Sequence, residues 1–166
     1  MKTRHLVTAL IAAASVTLGV PAAHAVTDVY MTIPGIPGES VDHHYEGAIH
    51  VLALRQSLLP SSKGAEACSV EVTKLLDIAG PRLWAAAVSG QRFNQIRIDV
   101  VKGGLEAVKM YEIRLAGAHV VNITTSGDDN FTEAVTLGAS SMTLTYYPQK
   151  ADGSQGPGIS ETVSCK

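Results

Sequence analysis

Three histidines, His43, His44 and His50, lie close together, with Asp42 and Glu46 among them. Imidazole and carboxylate are donors that zinc, nickel or copper accepts. Their spacing matches no tight metal motif, so they read as surface histidines on a loop with His50 on a strand. Ser40, Asp42 and His43 supply the side-chain types of a hydrolytic triad. Residues so near in sequence seldom reach triad geometry, and no Gly-x-Ser-x-Gly elbow is present. Gly35-x-x-Gly38 and Lys102-Gly103-Gly104 are turns without the strand-to-helix setting of a phosphate loop. Asp128-Asp129-Asn130 lacks the longer ligand series of a calcium loop and reads as a polar hairpin turn. Asn122-Ile123-Thr124 and Asn130-Phe131-Thr132 match the glycosylation triplet. No catalytic, cofactor-binding or metal-binding residue is assigned, and no cofactor is expected.

The remaining reactive side chains are Cys68 and Cys165, the chain's two cysteines. Their pairing depends on the compartment, and the amino-terminal residues predict which one. Lys2 and Arg4 give a positive start, residues 6–20 carry no charge, and Ala23-His24-Ala25 is a small-x-small site preceded by Pro21. This is the pattern of a cleavable secretory signal peptide over residues 1–25, cut between Ala25 and Val26. The apolar run is too short and alanine-rich for a membrane span. In an oxidising compartment the two cysteines most simply bond to each other. Free thiols and a bond between subunits are the alternatives. The expected location is secreted or periplasmic.

Loss of Lys2 and Arg4 takes the 13 basic residues to 11 against 15 acidic ones, a net charge of −4. That balance argues against nucleic acid or an anionic membrane as partner. Residues 26–166 are the right length for one domain with a real core. Apolar residues mostly alternate, predicting strands at residues 29–33, 46–55, 69–75, 95–100, 111–115, 119–125, 135–137 and 142–146. Both faces of the second read as largely covered. Residues 56–67 read as a loop, Gly117 as an interruption between two strands, and residues 152–158 as a tail loop. One helix is predicted, opening at Pro81 and capped at Gly90, with Leu83, Ala87 and Trp84 on its apolar side. About eight short strands at even spacing argue a barrel or sandwich.

Three stretches together resemble the type VI secretion tube protein family (Hcp, haemolysin-coregulated protein). Tyr30-Met31-Thr32-Ile33-Pro34-Gly35-Ile36-Pro37-Gly38-Glu39-Ser40 is similar to its first strand and turn. Val72-Thr73-Lys74 to Asp77 with Gly80-Pro81-Arg82-Leu83 resembles its strand-to-helix step, and Leu144-Thr145-Tyr146-Tyr147-Pro148-Gln149-Lys150-Ala151-Asp152-Gly153-Ser154 its last strand and loop. The resemblance spans residues 29–159. It implies a mainly β protein, a partly closed β-barrel of two sheets with one flanking helix. It also implies a non-enzymatic structural subunit whose partner is itself, in rings of six that stack into a tube carrying small cargo proteins and meeting other secretion components. The alternative is a monomeric exported binding module. A signal peptide and a Cys68–Cys165 bond lie outside the family pattern.

Overall fold

The computed structural model describes residues 27–62, 64–103, 108–127 and 130–165. The expected signal peptide and its Ala25/Val26 junction lie outside these residues, as do Gly104, Asp128 and Asp129. The described elements are β1 (Thr27–Thr32), β2 (Ile49–Val51), β3 (Ala53–Ser61), β4 (Gly64–Leu75), α1 (Gly80–Ser89), β5 (Arg92–Lys102), β6 (Val108–Ser126), β7 (Thr132–Gly138), β8 (Ser141–Tyr146) and β9 (Ile159–Ser164). The fold is mainly β with one helix.

All strand pairings are antiparallel and belong to one connected sheet in the order β2-β1-β5-β6-β7-β4-β3, with β8 pairing β6 and β9 pairing β8. The path is open in its hydrogen bonding. Yet its two ends, β2 and β3, are successive stretches of one segment broken at Leu52, whose N–H donates to the Thr73 carbonyl (2.7 Å). The sheet therefore curls until chain, rather than a ladder, joins its ends. The two expected sheets are branches of this network. β7 and β8 follow one another along the same edge of β6, separated at Ala139 and Ser140. Beyond β7 lies β4 and beyond β8 lies β9, so the sheet forks there. Ser140 ties the fork down, donating its N–H to Ala116 O (2.9 Å) and accepting one from Cys165 (2.8 Å).

The core follows from the alternation. Ile98 faces Ile113 and Ile96 faces Leu115 across β5–β6, while Val70 faces Leu137 and Val72 faces Val135 across β4–β7. All eight are buried. Helix α1 lays Leu83 and Ala86 on this surface and ends at Gly90, whose positive φ of 65° suits a residue without a Cβ.

Three expectations need correction. Residues 56–67 are not a loop: β3 and β4 form a hairpin paired as far as Ser61 and Gly64, with a register shift at Leu59/Pro60. Pro60 lacks an N–H, which is tolerated on an edge strand at an irregularity. Gly117 does not interrupt a strand. It takes φ 58° and the β5 ladder continues from Ala116 to Ala118 across it, giving one strand of 19 residues. Residues 152–158 are a loop as expected, and the residues after them add β9, a strand that the alternation does not predict. Residues 46–55 are not covered on both faces: Ala48, Ile49 and Val51 are buried, but His50 is exposed and Leu52 is half exposed.

Candidate functional site

The face of β5–β6 opposite the core carries five charges in register. Arg97 opposes Arg114 and Asp99 opposes Glu112. Like charges directly opposed destabilise a sheet, and the arrangement holds because each strand pairs its own charges. Arg97 Nε lies 3.0 Å from Asp99 Oδ2, and Arg114 Nε 2.7 Å from Glu112 Oε1. Lys109 then bridges the two carboxylates, 2.9 Å from Asp99 Oδ1 and 2.7 Å from Glu112 Oε2. Asp99 and Glu112 are each only 1% exposed. Arg97 Nε, Asp99 Oδ1 and Glu112 Oε1 lack good hydrogen-bond geometry, so charge holds them more than direction does.

Burial raises the Asp99 carboxyl above its ordinary value, and the neighbouring Glu112 charge adds to that, outweighing Lys109 and Arg97. Burial also pushes Glu112 up, but its hydrogen bond to Lys109 and the charges of Lys109, Arg114 and Arg97 bring it below its ordinary value. Burial works against the charged form of Lys109, but its bonds to Glu112 and Asp99 outweigh this, so it holds its proton more tightly than a free lysine. Tyr45 lies beside them, its phenol pushed up to about 12 by burial and then by the Asp99 charge.

An open cavity of about 790 Å³ lies over this ladder, lined by His44, Tyr45, Arg97, Asp99, Lys109, Ser154 and Gln155. The loop before β9 closes one side, where Gln155 Nε2 donates to Lys109 O (2.9 Å). The buried carboxylates are already held by cations and the Tyr45 phenol keeps its proton. These groups offer recognition of a polar ligand rather than a free base or nucleophile.

A second buried ion cluster fixes the helix. Lys74 and Glu133 are paired across β4–β7 and are 0% and 2% exposed. Lys74 Nζ lies 2.6 Å from Glu133 Oε2, 2.8 Å from Asp77 Oδ1 and 2.8 Å from Leu75 O. Trp84 Nε1 donates to Glu133 Oε1 (3.2 Å) from α1. Gly80 opens the helix against the same carboxylate: a Cβ there would meet Glu133 Oε2 at 2.8 Å. This is the physical content of the Lys74-to-Leu83 stretch.

The histidines separate. One ligand atom from each of Asp42, His43 and His44 lies within 4.8 Å of the others. His50 turns to Asp28 (3.6 Å) and the Tyr30 ring instead. Ser40 Oγ accepts the Asp42 N–H (3.3 Å) while His43 packs on His44, so these residues do not form the hydrogen-bond chain of a triad. Cys68 and Cys165 are bonded within the chain, Cα atoms 5.5 Å apart, across the fork between β4 and β9. Sequence reading left both ion clusters unassigned. The signal available was opposite charge at i,i+2 in two successive strands, Arg97-x-Asp99 and Glu112-x-Arg114.

The family described as "Type VI secretion system effector, Hcp" matches residues 30–146. Protein hcp1 of Pseudomonas aeruginosa (strain PAO1) is 32% identical over 145 residues, covering 79% of this chain and 90% of that protein. Among solved structures, a type six secretion system protein superposes with a TM-score of 0.75 at 23% identity, over 84% of this chain and 96% of that one. Hcp1 from Salmonella typhimurium gives 0.71 at 23% identity, over 84% and 94%. Secreted protein Hcp3 from Pseudomonas aeruginosa gives 0.66 at 20% identity, over 85% and 99%. These structures share the fold.

Proposed function

Because the chain belongs to the Hcp family of type VI secretion proteins, we propose that it is an exported, non-enzymatic subunit that assembles with copies of itself into a six-membered ring. Residues 26–166 would act as one domain after cleavage of residues 1–25. The observation that carries self-association is the β3 edge. β3 is 9 residues long, pairs only with β4 among the described strands, and exposes Leu58 and Leu59. An unpaired edge with apolar side chains is a template for another chain, which a closed ring would cover. Among the described residues, no helix is long and apolar enough to cross a membrane.

Native mass spectrometry tests the ring, with a sixfold multiple of the subunit mass as the expected result. A stable monomer at micromolar concentration would refute it and favour the second reading, a monomeric exported binding module, to which the cavity over β5–β6 lends support. Export is tested separately by the mass of the chain recovered outside the cytoplasm. It should lack residues 1–25 and begin at Val26.

A further inference from the structure

The segment between β1 and β2 is tied into a small hairpin of its own. Gly38 N–H donates to Gly47 O (2.8 Å), Ser40 N–H to Ala48 O (3.0 Å) and Gly47 N–H to Ser40 O (2.8 Å). The Tyr45 ring lies flat on Tyr30, centroids 4.4 Å apart and planes within 5°. Asp42, His43 and His44 are at the tip. There Tyr45 N–H bonds Asp42 O (2.9 Å) and His44 N–H bonds Asp42 Oδ1 (2.9 Å), which fixes the backbone.

Adjacent residues on a strand point to opposite faces, so neighbouring histidines seldom converge there. A tight turn removes that restriction, and the His43 and His44 ring centroids are 3.7 Å apart. With Asp42 they place three donor atoms within 4.8 Å of one another.

The geometry points to a metal site: Asp42, His43 and His44 bind one divalent transition ion of the zinc, nickel or copper class. Donors bound tetrahedrally at about 2.0–2.2 Å from one ion lie about 3.3–3.6 Å apart. The donor atoms therefore need to close by at most about 1.5 Å, within reach of ring and carboxylate rotation because both histidines are exposed at the surface. Two imidazole nitrogens and one carboxylate oxygen suit such an ion and not calcium or magnesium, which take oxygen sets. His50 takes no part, being engaged with Asp28 on the neighbouring strand. The remaining coordination positions open to water, and His44 also lines the cavity over β5–β6, so the ion sits at that cavity's rim.

Untagged protein with its disulfide intact, titrated with zinc chloride by calorimetry in a non-chelating buffer at neutral pH, tests this. The expected result is saturable binding of one ion per chain. Replacing both histidines (His43→Ala with His44→Ala) should weaken binding about tenfold or more, as loss of ligands costs at least what loss of their supporting contacts does. Asp42→Asn should weaken it in the same direction, and it keeps the turn's shape should the double variant misfold. His50→Ala should bind like the parent, and excess magnesium or calcium should not compete. Absence of saturable binding would overturn the proposal. So would a double variant that binds as the parent does, a His50→Ala loss equal to the double variant's, or displacement of zinc by magnesium or calcium.

Discussion

Replacing Lys74 by methionine should be among the most damaging single changes available in this fold. The methionine keeps the volume and removes the ammonium. All three ammonium protons have partners, Glu133, Asp77 and the Leu75 carbonyl, at 2.6–2.8 Å. The Glu133 carboxylate is 2% exposed, so after the change it is a buried charge whose main remaining partner is the Trp84 indole. Removing one member of a buried pair costs about 3–5 kcal/mol, mostly because the other is left uncompensated. With two carboxylates stranded, we expect about 4 kcal/mol. Glu133→Gln should cost less, about 1–2 kcal/mol, because Lys74 keeps Asp77 and loses one charged hydrogen bond. The double variant should then be less destabilised than the sum by about 2 kcal/mol or more, since the second change removes the charge that the first exposed. Urea unfolding followed by Trp84 fluorescence reads this directly, because Trp84 is the chain's single tryptophan and touches the cluster. At an unchanged slope the midpoint should fall by more than about 1 M. If Lys74→Met stays within about 1 kcal/mol of the parent, or the two changes add, the cluster does not pin the helix as argued.

Reducing the Cys68–Cys165 bond should destabilise the domain by up to about 4–5 kcal/mol in the chain-entropy model, given the sequence separation of 97 residues; equilibrium unfolding with and without reductant measures it, and no change would show that the denatured chain is not loosened. On acidification, side-chain carboxylate NMR should give Asp99 a midpoint above 3.8 and Glu112 one below 4.5. The signs oppose: Glu112, with its lowered folded value, contributes stability that is present above its unfolded value and lost as pH falls through the folded one, whereas Asp99, with its raised value, becomes less destabilising as it takes up a proton. The Asp99→Asn variant, which removes the opposing contribution, should therefore steepen part of the acid limb, and an Asp99 midpoint below 3.8 or a Glu112 midpoint above 4.5 would refute the assignment. Gly38→Ala should cost about 1–3 kcal/mol or more, because its Cβ would run into the Ala48 carbonyl and the Ile49 Cα, both backbone; thermal unfolding checks this, and a neutral result would mean that residues 38–48 shift easily.

The core strands were legible because period-two burial needs nothing beyond neighbouring residues: Ile96/Ile98, Ile113/Leu115 and Val135/Leu137 each declare a face. The helix was legible from Pro81 and Gly90, local signals at both ends. The β3–β4 hairpin was not, because Pro60 and the polar residues after it look like a loop unless the edge position that tolerates them is known. Gly117 misled for a similar reason, since a single positive φ can bend a paired strand without ending it. Asp99 and Glu112 read as ordinary outward-facing charges, while Lys74 and Glu133 fall on the core side in step with Val72 and Val135, where alternation alone gives them no partner. Their burial depends on partners 59 residues apart in one cluster and on a neighbouring strand in the other, which alternation cannot report.

The fork at Ser140 also decides when this molecule can be sealed. Cys68 is made early, and no partner for it exists until 97 further residues have followed. With two cysteines there is one intramolecular pairing, so oxidation has no isomers to sort. In the folded chain β9 lies against β8 and brings Cys165 beside Ala65, next to the turn of the β3–β4 hairpin. A covalent link placed there acts as a latch: it holds together two branches of the sheet that otherwise share only their common stem.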